Sequence, residues 1–446
     1  MKDSISPLDG RYSSYVEELL PFFSEKALMR YRVMIEIEYL ISLSKEKNFD
    51  GLPKFTKKQE ATYRKIYLNF NSVSADKIKK IERQTNHDVK AVEYYIRGKV
   101  NKSIHPWIHF ALTSEDVNNL SYTLMWRDAL NKIYIPQLKS LQGELNLLSR
   151  KYSNSAMLSM THGQAATPTT FGKEIKVFAK RIERQIVGIN NHRLLGKFGG
   201  ATGTWSTHTV VYPNVNWLLF AKNYIKSLNL DPNIVTTQIE PHDSIAESYH
   251  RLVRTNSILT DLCRDFWYYV SRGVLIQKKI KGEVGSSAMP HKINPIQFEN
   301  AEGNMGIANS ILTHLATKLP LSRLQRDLTD STTLRNQGVA MGHSYLALKN
   351  ILNGMDRITI NNIQMNNELD RHWEVLAEAI QMVLRKTGKE DSYEKLKTLT
   401  RGQKIDNLKV QSFIKDLKIS DDDKRILLSL TPSSYIGIAN KLVDQI

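Results

Sequence analysis

Apolar residues recur at spacings of three and four along most of this chain, and few segments alternate with period two, so the pattern predicts an all-α protein. From Ser24 a helix is expected, with Leu28, Tyr31, Ile35 and Leu40 or Ile41 on one face, and Gly51-Leu52-Pro53 ends that unit. Val117, Leu120, Leu124, Leu138, Leu141, Leu145 and Leu148 mark a long helix that Pro136 should kink or divide. Thr167-Pro168 reads as the start of another, whose buried face is Phe171, Ile175, Phe178, Ile182, Ile186 and Ile189. A third runs to about Arg272 with Ile245, Tyr249, Leu252, Leu259, Leu262, Phe266 and Val270 inward. Beyond about Asn350 the chain turns more polar. The expected organisation is an N-terminal helical domain over 1–106, a central bundle of long helices over 107–355 and a small helical domain over 356–446. The long apolar faces exceed what one subunit's helices readily cover, which predicts self-association.

Between two of these helices lies Gly285-Ser286-Ser287-Ala288-Met289-Pro290-His291-Lys292-Ile293-Asn294-Pro295. Its glycine and two prolines forbid a continuous helix, so it is a loop. It holds two adjacent hydroxyls, an ammonium, an imidazole and a carboxamide, more chemistry than a connector needs. The string resembles the signature loop of the fumarate-releasing lyases, the superfamily of fumarase, aspartase, argininosuccinate lyase and adenylosuccinate lyase. It meets their pattern G-S-S-x-M-P-x-K-x-N-P at every fixed position.

Four further strings narrow the resemblance. Thr85-Asn86-His87-Asp88 precedes a helix that Thr85 or Asn86 could cap, with Asp88 in the first turn and His87 at the helix mouth. Thr113-Ser114-Glu115-Asp116 has the form of a capping box, which is sufficient to explain it. Thr161-His162-Gly163-Gln164 carries a histidine outside the neighbouring apolar stripe, and Ala165 stands where the family usually has proline. Arg323, Arg326 and Arg335 lie among several hydroxyls, a pattern that suits either a solvated face or bidentate recognition of phosphate and carboxylate. With the Ser6–Tyr12 turn, these strings resemble the bacterial-type adenylosuccinate lyases, and the similarity spans essentially the whole chain.

Composition changes the picture little. A formal charge of +17, from 62 Lys and Arg against 45 Asp and Glu, invites a polyanionic partner. The lysines are scattered rather than gathered, however, and nucleic-acid motifs are absent, so no nucleic acid is expected. Gly199-Gly200-Ala201-Thr202-Gly203 lacks the spacing and lysine of a Walker loop. The single cysteine, Cys263, excludes an internal disulfide and a cysteine zinc site. Met1-Lys2-Asp3-Ser4 leads into no apolar stretch and no window approaches a spanning helix, so a soluble, cytoplasmic protein without membrane contact is expected.

The resemblance implies elimination of fumarate from adenylosuccinate, giving AMP, and from the matching succinyl-carboxamide ribotide of purine synthesis. It implies Ser286 as base and His162 as acid. Lys292 and Asn294, with Thr113, Ser114 and Ser287, would meet the succinyl end. Arg11, Tyr12, Arg326, Ser331 and Arg335 would hold the nucleotide, oriented by Asn86, His87, Asp88, Gln238 and Asn300. No metal or cofactor is called for, and the implied assembly is a homotetramer with shared sites. Two rivals are another lyase of the superfamily, argininosuccinate lyase above all, and a basic helical RNA-binding protein.

Overall fold

The computed structural model describes residues 3–280, 282, 289, 291–388 and 405–444, and helices dominate it. Helix α1 (Glu25–Lys45) starts where Ser24 accepts the Ala27 N–H at 3.1 Å. The predicted stripe is buried, but so is most of the remaining circumference, including Arg32 and Glu36. A helix enclosed all round must pair its charges internally. Glu36 meets His109 at 2.6 Å, and Arg32 meets Asp88 at 2.8 Å.

Helix α2 (Ser72–Thr85) ends at Asn86, which is left-handed at φ 49°, and α3 (Asp88–Arg97) begins two residues later, with only His87 between. The cap of α3 is His87, whose Nδ1 accepts the Lys90 N–H at 3.1 Å, rather than Thr85 or Asn86. Helix α4 (Ser114–Ala129) runs into a π-helical turn, Leu130–Tyr134, and then α5 (Ile135–Lys151). The wide turn lies directly before Pro136, where the ring would crowd an ordinary α turn.

Among the described residues the sheets are three two-stranded pairs. Strands β1 (Ala156–Thr161) and β2 (Gln164–Thr170) form an antiparallel hairpin where a helix start at Thr167-Pro168 was expected. Pro168 is accommodated because the register slips between Met157 and Ser159, which removes the need for its missing N–H. Helix α6 (Phe171–Asn191) follows, with Phe171, Ile175, Phe178, Ile182, Ile186 and Ile189 buried as the spacing predicts. Strand β3 (Leu195–Lys197) pairs in parallel with β4 (Asp231–Asn233). Helix α7 (Asp243–Ser271) buries the predicted face from Ile245 to Phe266, with Val270 half-buried. Helices α8 (Ile296–Lys318), α9 (Thr329–Leu334) and α10 (Gln337–Met355) complete the long-helix region.

The chain divides into two compact units. The first comprises residues 1–138, 185–260 and 300–349, and in its core Trp126 packs edge-on against Tyr249 with ring centres 4.6 Å apart. The second comprises residues 139–184, 261–299 and 350–446, and contains a separate apolar cluster of Trp373, Leu376, Ile380, Leu384, Val410, Ile414 and Leu427. Among the described residues no helix is long and apolar enough to cross a membrane.

Candidate active site

In the first unit the start of α3, the start of α4 and the segments on either side of α9 share one network of charges. Asp88 accepts the Val89 N–H at 2.8 Å through one oxygen. Its other oxygen accepts from Arg32 at 2.8 Å and from Arg335 at 3.2 Å. Burial alone would raise the Asp88 carboxyl, but the two guanidiniums outweigh it and hold the group below its usual range. Arg335 is about half exposed, so one of Asp88's partners faces solvent while the other is enclosed.

Glu115 and Asp116 point to different duties. Asp116, the acidic partner of the predicted capping box, accepts the Thr113 N–H at 2.9 Å. It also accepts the Gly199 and Gly200 N–H groups at 2.9 and 3.0 Å and pairs with the fully enclosed Lys197 at 2.7 Å. Glu115, buried, pairs with Arg326 at 3.0 Å. Arg326 in turn donates to Gln238 at 3.2 Å, and Gln238 donates to the Ala201 carbonyl at 3.0 Å. Asp330 lies 3.9 Å from the same guanidinium. Burial raises the Glu115 and Asp330 carboxyls above their ordinary values, and Arg326, shared between them, opposes this only in part. Arg326 Nε, Glu115 Oε2 and Asp330 Oδ2 are buried without a hydrogen-bond partner among the described residues. Ser331 adjoins this group, its N–H donating to Asp330.

Near the start of the chain, Tyr12 accepts a hydrogen bond from Asn300 at 3.2 Å, and the Arg11 guanidinium lies 5.8 Å from the Tyr12 ring centre. Asn304 donates to Asn300 at 2.9 Å and accepts His343 Nδ1 at 2.7 Å, extending the chain inward. The structure thus joins Asp88 with Arg335, Gln238 with Arg326, and Tyr12 with Asn300. Asn86 and His87 are exposed at the helix junction, and Thr113 and Ser114 are half-buried at the start of α4.

In the second unit His162 occupies the tip of the β1–β2 hairpin. His162 and Gly163 have φ 52° and 74°, the two positive values of a type I′ turn, which matches the twist of the strands. Gly163 meets nothing within 4 Å of an added Cβ, and His162 is exposed. The hairpin body is held firmly. Arg272 donates to the Leu158 carbonyl at 3.3 Å while pairing with Glu368 at 2.6 Å, and Leu158 packs with Leu369 and Val375. Lys292 is exposed and Asn294 half-buried, just before α8, and the Lys292 N–H closes a turn on the Met289 carbonyl at 3.0 Å. Ser286 and Ser287 lie outside the described residues.

Arg32, Asn118 and Glu115 were not singled out by sequence reasoning as site residues. The signal available was Arg32 itself, a charge set between the core residues Tyr31 and Val33. Asn118 carried none, being one polar residue among several on a helix enclosed nearly all round.

Residues 10–309 match a family described as Lyase, and residues 322–436 match one described as Adenylosuccinate lyase C-terminal. An adenylosuccinate lyase of Legionella pneumophila (strain Corby) is 47% identical over 446 residues, covering 99% of this chain and 98% of that protein. One from Escherichia coli (strain K12) is 45% identical over 448 residues with the same coverage. Among solved structures, a fumarate lyase from Mesorhizobium sp. BNC1 superposes with a TM-score of 0.75 at 17% identity, covering 96% of each chain. The β-carboxy-cis,cis-muconate cycloisomerase of Acinetobacter calcoaceticus sp. ADP1 gives 0.73 at 17%, covering 97% of this chain and 98% of that one. At that identity the last two bear on the fold alone. With relatives of 45–47% identity along almost its entire length, the chain belongs to the adenylosuccinate lyase family of the fumarate lyase superfamily.

Proposed function

We propose that this carbon–nitrogen lyase eliminates fumarate from adenylosuccinate, releasing AMP, and from the succinylaminoimidazole carboxamide ribotide of purine synthesis. The observation that carries the reading is the gathering of Arg326 and Arg335, with Gln238 and Asp88, into one network of the first unit. Guanidinium forks match phosphate oxygens, and both substrates bear a phosphate that argininosuccinate lacks. The names of the full-length relatives support the same substrate.

The reaction must remove a weakly acidic C–H proton beside a carboxylate, stabilise the dianionic carbanion and protonate the departing nitrogen. Ser286 takes the proton, its alkoxide stabilised by Lys292 and nearby N–H groups. Lys292 and Asn294, with Thr113, Ser114 and Ser287, hold the succinyl carboxylates as charge builds on them. His162 donates a proton to the leaving nitrogen, a task suited to imidazole near neutral pH. Arg11, Tyr12, Arg326, Ser331 and Arg335 hold the nucleotide, while Asn86, His87, Asp88, Gln238 and Asn300 orient it. The exposed position of His162 on a braced hairpin supports a role in a site completed by another copy, in a cytoplasmic homotetramer. Fumarate release, followed with adenylosuccinate, argininosuccinate and malate supplied separately, tests the substrate. Turnover of adenylosuccinate alone is expected; turnover of argininosuccinate in its place would overturn the assignment.

A further inference from the structure

Arg326 and Arg335 are linked through Asp88 and three further side chains, Arg32, Asn118 and Glu115, to which neither the family motifs nor the proposed mechanism assigns a task. From Arg335 the path runs to Asp88 at 3.2 Å, and from Asp88 to Arg32 at 2.8 Å. Arg32 Nε donates to the Asn118 carbonyl oxygen at 2.9 Å, and Asn118 Nδ2 donates to Glu115 Oε1 at 3.0 Å. Glu115 Oε1 completes the path with its 3.0 Å pair to Arg326. The three inner members are almost wholly enclosed: Arg32 is 3% exposed, Asn118 6% and Glu115 2%.

Each link has a direction that the next requires. Arg32 is a guanidinium using two different edges, Nε toward Asn118 and a terminal nitrogen toward Asp88. Lysine, a single donor centre on a flexible stem, cannot reproduce that fork. Asn118 accepts with its oxygen and donates with its nitrogen, so the amide has one orientation only. An enclosed, fully directed network of this kind has few alternative arrangements, which suits it to fixing the position of the groups at its ends.

We propose that Arg32, Asn118 and Glu115 are positioning residues, a buried tie that sets Arg326 and Arg335 as a pair for the phosphate-bearing end of the ligand. The inference rests on the reading that these two arginines hold the nucleotide. None of the three touches substrate. Arg32 acts on Arg335 through Asp88, and Glu115 acts on Arg326 directly, while Asn118 couples the two arms.

Arg32→Lys and Asn118→Leu test the tie in the intact enzyme, with AMP as the probe. Competition by AMP gives its affinity, and steady-state elimination gives KM and kcat separately. A loosened arginine pair weakens ground-state binding, so AMP affinity should fall and KM rise about tenfold in each variant, with kcat within about threefold of the parent. Added to Arg335→Ala, the Arg32→Lys change should cost less than about a further twofold in AMP affinity, because residues acting through one another are not additive. Unchanged AMP affinity in both variants would overturn the tie, as would a full tenfold loss on top of Arg335→Ala. So would a fall in kcat at constant KM. Should Arg32→Lys fail to fold, Asn118→Leu combined with Arg326→Ala carries the same expectations. The single variants Arg326→Ala and Arg335→Ala separate the two levels. If neither weakens AMP, the nucleotide reading fails and takes the tie with it; if both do while Arg32→Lys and Asn118→Leu do not, the tie alone is wrong.

Discussion

Lys197→Met removes one half of the most enclosed ion pair at the candidate site. Lys197 and Asp116 are 0% and 1% exposed at the side chain and 2.7 Å apart. Breaking a buried pair from one side costs on the order of 3–5 kcal/mol, because the remaining charge is stranded. The two halves are not equivalent here. Without Lys197, Asp116 keeps the N–H groups of Thr113, Gly199 and Gly200, so the loss belongs at the low end, about 3 kcal/mol. Without the Asp116 charge, the Lys197 ammonium keeps the Gly200 carbonyl at 2.8 Å as its partner, and Asp116→Asn should cost nearer 5 kcal/mol. The double variant carries no stranded charge and should be more stable than Asp116→Asn alone. Urea unfolding at one fixed protein concentration measures all three. With a slope of about 3 kcal/mol per molar urea, the midpoints should fall by about 1 M for Lys197→Met and about 1.7 M for Asp116→Asn. A Lys197→Met loss below about 1 kcal/mol, or the opposite order of the two single variants, would show that the pair is not held as a buried charge couple.

His162→Ala should lower the elimination rate by about 10² to 10⁴ with circular dichroism and melting unchanged, since the residue lies exposed on a turn. Gly163→Val should reduce the rate by distorting the positive-φ turn, whereas Gly163→Asn, compatible with that backbone, should stay within several-fold of the parent; steady-state rates of the two decide it. Burial lowers the pKa of His109, but Glu36 at 2.6 Å more than reverses this and raises it overall. The stability contributed by that pair is therefore fully present below about pH 6.5 and lost as the pH climbs through the raised folded value; unfolding of His109→Gln from pH 5 to 9 should lack this decline.

The long helices were legible because burial on one face leaves a periodic trace: the α6 stripe from Phe171 to Ile189 is buried at every predicted position. The hairpin bearing His162 was not. Its strands are short and interrupted at Pro168, and the turn signal His162-Gly163 is weaker than Asn-Gly, so proline before a helical pattern read as a helix start. The cap of α3 went to His87 because Asn86 is spent in the left-handed end of α2, a competition between adjacent helices that neither sequence shows alone. The chemistry-bearing residues were legible as strings, yet their partners were not. Asp88, Arg326 and Arg335 could be named from sequence, whereas Arg32 and Glu115 gain their meaning only when three separate segments meet.

We propose that adenylosuccinate is cleaved where His162 and Ser286 come from different copies of the chain, which complementation between inactive variants tests. His162→Ala and Ser286→Ala chains, each nearly inactive alone, can be mixed in equal amounts, co-refolded and assayed for fumarate release from adenylosuccinate. Random assembly supplies an intact His162 half the time and an intact Ser286, from another chain, half the time, so about a quarter of the parent activity should return. Mixed assemblies as inactive as either variant alone would show that His162 and Ser286 of one site come from a single chain.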